Sequence, residues 1–236
     1  MLPFYIIFVT LYNLLLLLFL YKLVTLVNRT NSIASQILQK ISRFPKGKPI
    51  FPADFKGMGS EAAIKMTLTR LAKEGKLDRV AHGIYVVPKE SPKFGKIPPS
   101  LEEIAHAIAS RDHARIRPAG AFALNKLGLS TQVPMKLVYI TDGAPRYIKV
   151  GKRTIKFKPA TPKSLAYKGA ISGLVVQALK ELGSKRVSQE IINKIKTLLQ
   201  DEKPEVIMQD AKLAPYWIAK IFYSILDEMK HHDRVA

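Results

Sequence analysis

The chain has 236 residues, in which 38 Lys and Arg face 18 Asp and Glu for a formal charge of +20; such an excess draws polyanions, nucleic acid or an anionic membrane surface, and implies no substrate chemistry. It contains no cysteine, which excludes disulfides, thiolate metal sites and a cysteine nucleophile and suits a reducing cytosol. The length accommodates an apolar or targeting segment plus one or two compact domains.

Residues 4–27 are mostly Leu, Ile, Phe, Val and Tyr, with Lys22 their only charge. At ~1.5 Å rise per residue an apolar helix of this length spans a bilayer, and the positive n-region and small-residue cleavage site of a signal peptide are missing. Lys22, Arg29, Lys40 and Arg43 follow the stretch, and by the positive-inside rule they place the rest of the chain in the cytoplasm. Two readings stand. Either residues 1–27 form an inner-membrane anchor and give the protein a membrane partner, or translation starts near Val27 and the protein is simply cytoplasmic.

Asn31 or Ser32 caps a predicted first helix with Ile33, Ile37, Leu38 and Ile41 at helical spacing, ending before Pro45. The breaker run at residues 45–49 leads to a short extended piece at Ile50 and Phe51 and a brief second helix over residues 52–55. Gly57 and Gly59 make the turn, and Ser60 caps a third helix over residues 61–74, whose Ile64, Leu68 and Leu71 face one core. Gly75 ends it. Residues 76–80 and 84–88, joined at Ala81, His82 and Gly83, read as a β-hairpin. Three short helices followed by a hairpin is the order of a winged helix-turn-helix, whose third helix enters the DNA major groove while the wing tip reaches backbone or minor groove.

The fold class is therefore read as α+β: an apolar helix over residues 1–27, a winged helix-turn-helix over residues 28–88, a Pro-, Gly- and Lys-rich linker over residues 89–99, and a mixed α/β domain over residues 100–236 that ends in helices. Within that last part, helices are predicted over residues 100–110 and 118–127, with Gly128 closing the second. A strand follows over residues 133–141, then a turn at Asp142 and Gly143. Residues 147–158 alternate apolar with basic around Gly151, the pattern of a hairpin with one cationic face. Helices are predicted at about residues 163–182, 188–200 and 205–228.

On the third helix Ser60, Lys65, Thr67, Thr69, Arg70 and Lys73 lie opposite the apolar stripe. Arg and Lys donate to guanine or phosphate oxygens, and Ser and Thr to phosphate or either base type. A solvated helix face has the same composition; the hairpin that follows is what favours DNA. Arg79 and His82 flank the wing turn, where an Arg can enter a narrow minor groove, and Gly83 permits the bend. Arg146, Lys149, Lys152, Arg153, Lys156 and Lys158 form a second basic patch, suited to more DNA, to an acidic partner protein or to solubility alone. No Gly-rich phosphate loop, His-Glu-x-x-His helix or Gly-x-Ser-x-Gly elbow occurs. Glu102, Glu103 and His106 share one helix with no second ligand helix. The chain is accordingly read as a non-enzyme, with no catalytic residue, metal or cofactor assigned.

The run LTRLAKEGKLDRVAHGIYVVP, residues 68–88, resembles the helix-to-wing segment of AbiEi-type antitoxins and related winged-helix families of bacterial toxin–antitoxin systems. RPAGAFALNKLGLSTQVP, residues 117–134, resembles the segment that opens their antitoxin domain. The likeness covers about residues 32–182, leaving out residues 4–27 and the helices after Gly183. It implies a DNA-binding transcriptional repressor and antitoxin of a type IV, abortive-infection system. The first domain would bind repeats of double-stranded DNA in its own promoter, and the second would neutralise a cognate nucleotidyltransferase toxin. Lys65, Thr69 and Arg70 would fall on the recognition helix, Arg79 and His82 on the wing. The competing reading is a membrane-tethered winged-helix regulator without a toxin partner. A winged helix used for protein contacts and a metal-dependent nuclease are the remaining alternatives.

Overall fold

The computed structural model describes residues 15–19, 22 and 32–233, and the chain divides into two compact units, Met1–Pro99 and Ser100–Ala236. The apolar segment expected over residues 4–27 lies almost entirely outside the described residues. Residues 15–19 are helical, and among the described residues no helix is long and apolar enough to cross a membrane. Helices and strands both build the protein, which is α+β.

In the first unit, α1 (Ile33–Ile41) starts at Ser32, whose Oγ accepts the Ser35 N–H at 3.2 Å; this satisfies one of the amides that a helix start leaves orphaned. β1 (Pro49–Ile50) and one 3-10 turn (Pro52–Phe55) follow, then α2 (Glu61–Lys73), β2 (Asp78–Ala81) and β3 (Ile84–Val86). The three strands make one antiparallel sheet in the order β1-β3-β2, with Tyr85 of β3 opposite both Ile50 and Arg79. Ile37 and Ile41 of α1, Ile64, Leu68 and Leu71 of α2, and Ile50, Phe55, Leu77 and Tyr85 form its core. Fully burying an aliphatic side chain of this size stabilises by roughly 1.5–3 kcal/mol, so the apolar stripe of α2 fixes which way its polar side points.

Residues 89–99, expected as a linker, instead form a small hairpin of β4 (Glu90–Ser91) and β5 (Gly95–Lys96). Lys96 Nζ lies 2.8 Å from Asp78 Oδ1, tying the hairpin to β2. Composition alone reads as a spacer here because each strand is two residues long, too short for a periodicity.

The second unit opens with α3 (Leu101–Arg111), capped reciprocally by Ser100 and Glu103. The order then runs β6 (Ile116–Ala119), α4 (Ala121–Lys126), β7 (Lys136–Thr141), β8 (Arg146–Val150) and β9 (Arg153–Pro159). The helices α5 (Pro162–Leu165), α6 (Ala170–Leu182), α7 (Gln189–Leu199), α8 (Pro204–Leu213) and α9 (Tyr216–Asp233) complete it. The sheet order is β6-β7-β9-β8, with β7 and β9 parallel and the other pairs antiparallel. Side chains alternate between faces along a strand. Tyr139 and Phe157 on one face stack at 5.9 Å between ring centroids, with Phe122 of α4 at 5.4 Å and His106 of α3 at 6.2 Å from Tyr139. On the other face Ala119, Ile140 and Leu165 pack together over β6 and β7. A separate helical core joins α4 and α6 to α7, α8 and α9 through Leu179, Leu199, Ile207 and Phe222.

Three expectations are corrected in this unit. The helix predicted over residues 118–127 begins only at Ala121; Ile116–Ala119 is an edge strand, where the missing N–H of Pro118 is tolerated. The helix predicted over residues 163–182 is two helices, because the carboxylate of buried Asp210 accepts the Lys168 and Gly169 N–H groups at 2.8 and 3.0 Å and holds the chain out of helical geometry between them. The helix predicted over residues 205–228 is divided at Ala214 and Pro215, since proline offers no N–H to the helical ladder.

Candidate nucleic-acid interface

The outward side of α2 is set by its buried stripe. With Ile64, Leu68 and Leu71 turned inward, the 3.6-residue period brings Met66, Arg70 and Lys73 to the opposite side at i, i+4 and i+7. All three are exposed, Met66 to 73%. Lys73 meets no carboxylate among the described residues. Arg70 Nε stands 3.7 Å from Glu74 Oε1, and Glu74 also pairs with Lys76 at 2.9 Å. Lys65 occupies the flank of the helix, 2.5 Å from Glu61 Oε1; its hydrogen bond and charge hold the Glu61 carboxyl below its ordinary value. Both partners are largely exposed, and ion pairs of that kind are weak and easily exchanged for a phosphate.

Ser60, Thr67 and Thr69 are less available than their residue types suggest. Ser60 Oγ accepts the Ala63 N–H at 3.2 Å and serves as the cap of α2. Thr69 is half-buried, its hydroxyl donating to the Lys65 carbonyl at 2.8 Å and lying 3.2 Å from the Tyr85 hydroxyl of β3. Thr67 is half-buried as well. Met66 was not among the sequence candidates, because it is neither charged nor hydrogen-bonding; the signal that finds it is its parity with Arg70 and Lys73.

The hairpin of β2 and β3 turns through His82 and Gly83, with Ala81 paired to Ile84 and Gly83 at φ +67, a left-handed backbone that favours glycine. Ile84, Tyr85 and Val86 are buried, whereas Arg79 and His82 are exposed at the tip. Arg79 Nη2 donates to His82 Nδ1 at 3.2 Å, which aligns the two side chains.

In the second unit the structure splits the sequence-derived basic patch between two faces. Cross-strand partners share a face, and the pairs Tyr147 with Lys156, Lys149 with Thr154, Lys156 with Val138 and Lys158 with Ile140 put Lys149, Lys156 and Lys158 together. Arg146 and Arg153 pair with Phe157 and Val150 on the face covered by α3. There Arg146 forms an ion pair with Asp112, to which Arg111 also donates at 2.8 Å. Burial pushes the Asp112 carboxyl up, but the hydrogen bonds and charges of Arg111 and Arg146 outweigh it and hold the group below its ordinary value. Lys152 is exposed in the β8-β9 turn.

The polar residues of α3 singled out in the sequence are engaged in structure. Glu102 pairs with Lys126, Glu103 caps α3, and His106 stands edge-on to Tyr139. No group of three or more His, Asp or Glu suited to a metal ion occurs among the described residues. A cleft of about 560 Å³ between α3, β6 and Tyr167 is bordered by Arg117, whose guanidinium donates to the carbonyls of Tyr167 and Gly169 at 2.7 and 3.0 Å.

Both units are thus basic α+β modules whose exposed cations lie on a helix, a hairpin tip and a sheet face. Residues 36–207 match the model of a family of unknown function, DUF6088, and the chain belongs to that family. No curated protein matches it.

Proposed function

We propose that residues 32–88 are a winged helix-turn-helix that binds double-stranded DNA, α2 lying in the major groove and the His82–Gly83 turn reaching the flanking backbone or minor groove, and that the protein regulates transcription without catalysis. The observation that carries this reading is the juxtaposition of Met66, Arg70 and Lys73 on the outward side of α2 with a hairpin that presents Arg79 and His82. A helix of 13 residues fits the groove, Arg70 can donate two parallel bonds to guanine, and Met66 offers apolar contact to a thymine methyl. Lys65 on the flank and Lys73 beside Met66 and Arg70 supply phosphate contacts. The resemblance of residues 68–88 and 117–134 to AbiEi-type antitoxins adds that the duplex belongs to the protein's own promoter and that residues 100–236 neutralise a nucleotidyltransferase toxin.

A gel-shift titration with the duplex upstream of the coding sequence tests the DNA-binding claim. Lys65→Ala combined with Arg70→Ala is expected to weaken binding at least tenfold, since one good bidentate base contact alone contributes about 1–3 kcal/mol. Undiminished binding by that double variant would favour a winged helix used for protein contacts.

A further inference from the structure

The sheet of the second unit carries an aromatic ring laid out among cations. Tyr147 of β8 is 60% exposed. Its hydroxyl donates to Thr154 Oγ1 on the neighbouring strand β9 at 3.4 Å, and Lys136 Nζ of β7, one strand further, stands 5.8 Å from its ring centroid. The ring is thus tied across β9 on the solvent side of the sheet, with the Lys136 ammonium over one of its faces. Around it Lys136, Lys149 and Lys156 project from three adjacent strands on the same face, with Lys158 two residues beyond Lys156. Strands ~4.8 Å apart and alternate residues ~6.7 Å apart set the backbone positions from which these lysines share one face. None of these lysines has a carboxylate partner among the described residues, and residues 146–158 contain six Lys and Arg and no Asp or Glu.

Such a face costs free energy by self-repulsion unless it serves an anion. We infer that it binds single-stranded nucleic acid, a base stacking on Tyr147 while Lys136, Lys149, Lys156 and Lys158 track the phosphates. Charge complementarity calls for a polyanion, and the exposed ring selects among polyanions. A duplex keeps its bases stacked inside and presents only backbone to a broad sheet, and an acidic protein has no use for a π face. Unstacked bases use both, which is how single-strand binding surfaces are built. The surface belongs to the second unit, whereas the α2 helix and hairpin proposed for duplex DNA belong to the first.

Fluorescence anisotropy with the full-length protein and labelled oligothymidylate or oligouridylate tests the inference, the two oligomers distinguishing a DNA from an RNA preference. Tyr147→Ala is expected to weaken binding of the preferred oligomer about tenfold, the usual consequence of losing one stacked base, whereas Tyr147→Phe, which keeps the ring, binds as the parent does. Lys156→Gln with Lys158→Gln is expected to weaken it further. Duplex binding in the gel-shift assay is expected to stay unchanged in Tyr147→Ala, so failure here is distinguishable from failure of the α2 reading. Single-strand affinity that survives Tyr147→Ala undiminished, or polyglutamate bound more tightly than either oligomer, would overturn the inference.

Discussion

A Cβ on Gly173 would lie 1.6 Å from Arg117 Nη1 and 2.9 Å from Tyr167 Cβ. The guanidinium can swing away, but only by giving up its bonds to the Tyr167 and Gly169 carbonyls in a half-buried place where burial already opposes its charge. Hydrogen bonds from a charged donor contribute about 1.5–3 kcal/mol each, more than the ~1 kcal/mol that alanine gains over glycine inside a helix. Gly173→Ala is therefore expected to destabilise the protein by about 2 kcal/mol in chemical denaturation. The same substitution made on an Arg117→Leu background should cost much less, and equal costs on both backgrounds would exclude the pairing as the cause. Asp112 supports a prediction in pH. Its carboxyl is held below its ordinary value by Arg111 and Arg146 against the opposing effect of burial, so its contribution to stability is full above the unfolded-state aspartate pKa and is lost as the pH falls through the lowered folded value. Asp112→Asn is expected to flatten the acid side of a melting-temperature profile. A profile that keeps its slope would show that other carboxylates set it.

At the scale of elements, what was legible in the sequence was local. The apolar spacing of Ile64, Leu68 and Leu71, the cap at Ser60 and the turn at His82 and Gly83 are each decided within a few residues, and the structure has a helix and a hairpin there. The divisions of the C-terminal helices had unequal signals. Pro215 marks one plainly. The break at residues 166–169 has only Gly169, which a helix can tolerate, because the groups that impose it, Asp210 and Glu202, come from 30–42 residues further along, Glu202 accepting the Ile171 and Ser172 N–H groups at 3.0 and 2.8 Å. β6 was hidden for a different reason. Pro118 after a basic residue reads as the first position of a helix, and only pairing with β7 turns Ile116–Ala119 into a strand. The candidate site divides along the same line. Strand parity places Tyr147 with Lys149, Lys156 and Lys158, but Lys136 joins them through the parallel register of β7 on β9, which no local pattern specifies. Ser60 and Thr69 show the converse: suitable side chains whose hydroxyls the fold has already engaged.

For the molecule as a whole, the charge has an unexpected evenness. Residues 1–99 hold 15 Lys and Arg against 5 Asp and Glu, and residues 100–236 hold 23 against 13, so each unit carries a net +10. In the second unit six of those cations fall within residues 146–158, so that hairpin carries more than half of the unit's net charge. A diffuse positive cloud and two discrete sites both attract nucleic acid, but they differ in how salt acts on them, since only ordered phosphate contacts release a fixed number of counterions. Binding to duplex DNA should weaken with salt, and in Lys65→Ala with Arg70→Ala the slope of log K against log salt should become shallower by ~0.9 for each phosphate that is no longer neutralised. Binding to single strands should instead respond to Lys156→Gln with Lys158→Gln, by ~0.7 for each phosphate set free. Neither pair should move the other slope. If either pair shifts both slopes alike, the charge acts as one undifferentiated field, and the division of labour between α2 and the sheet face fails.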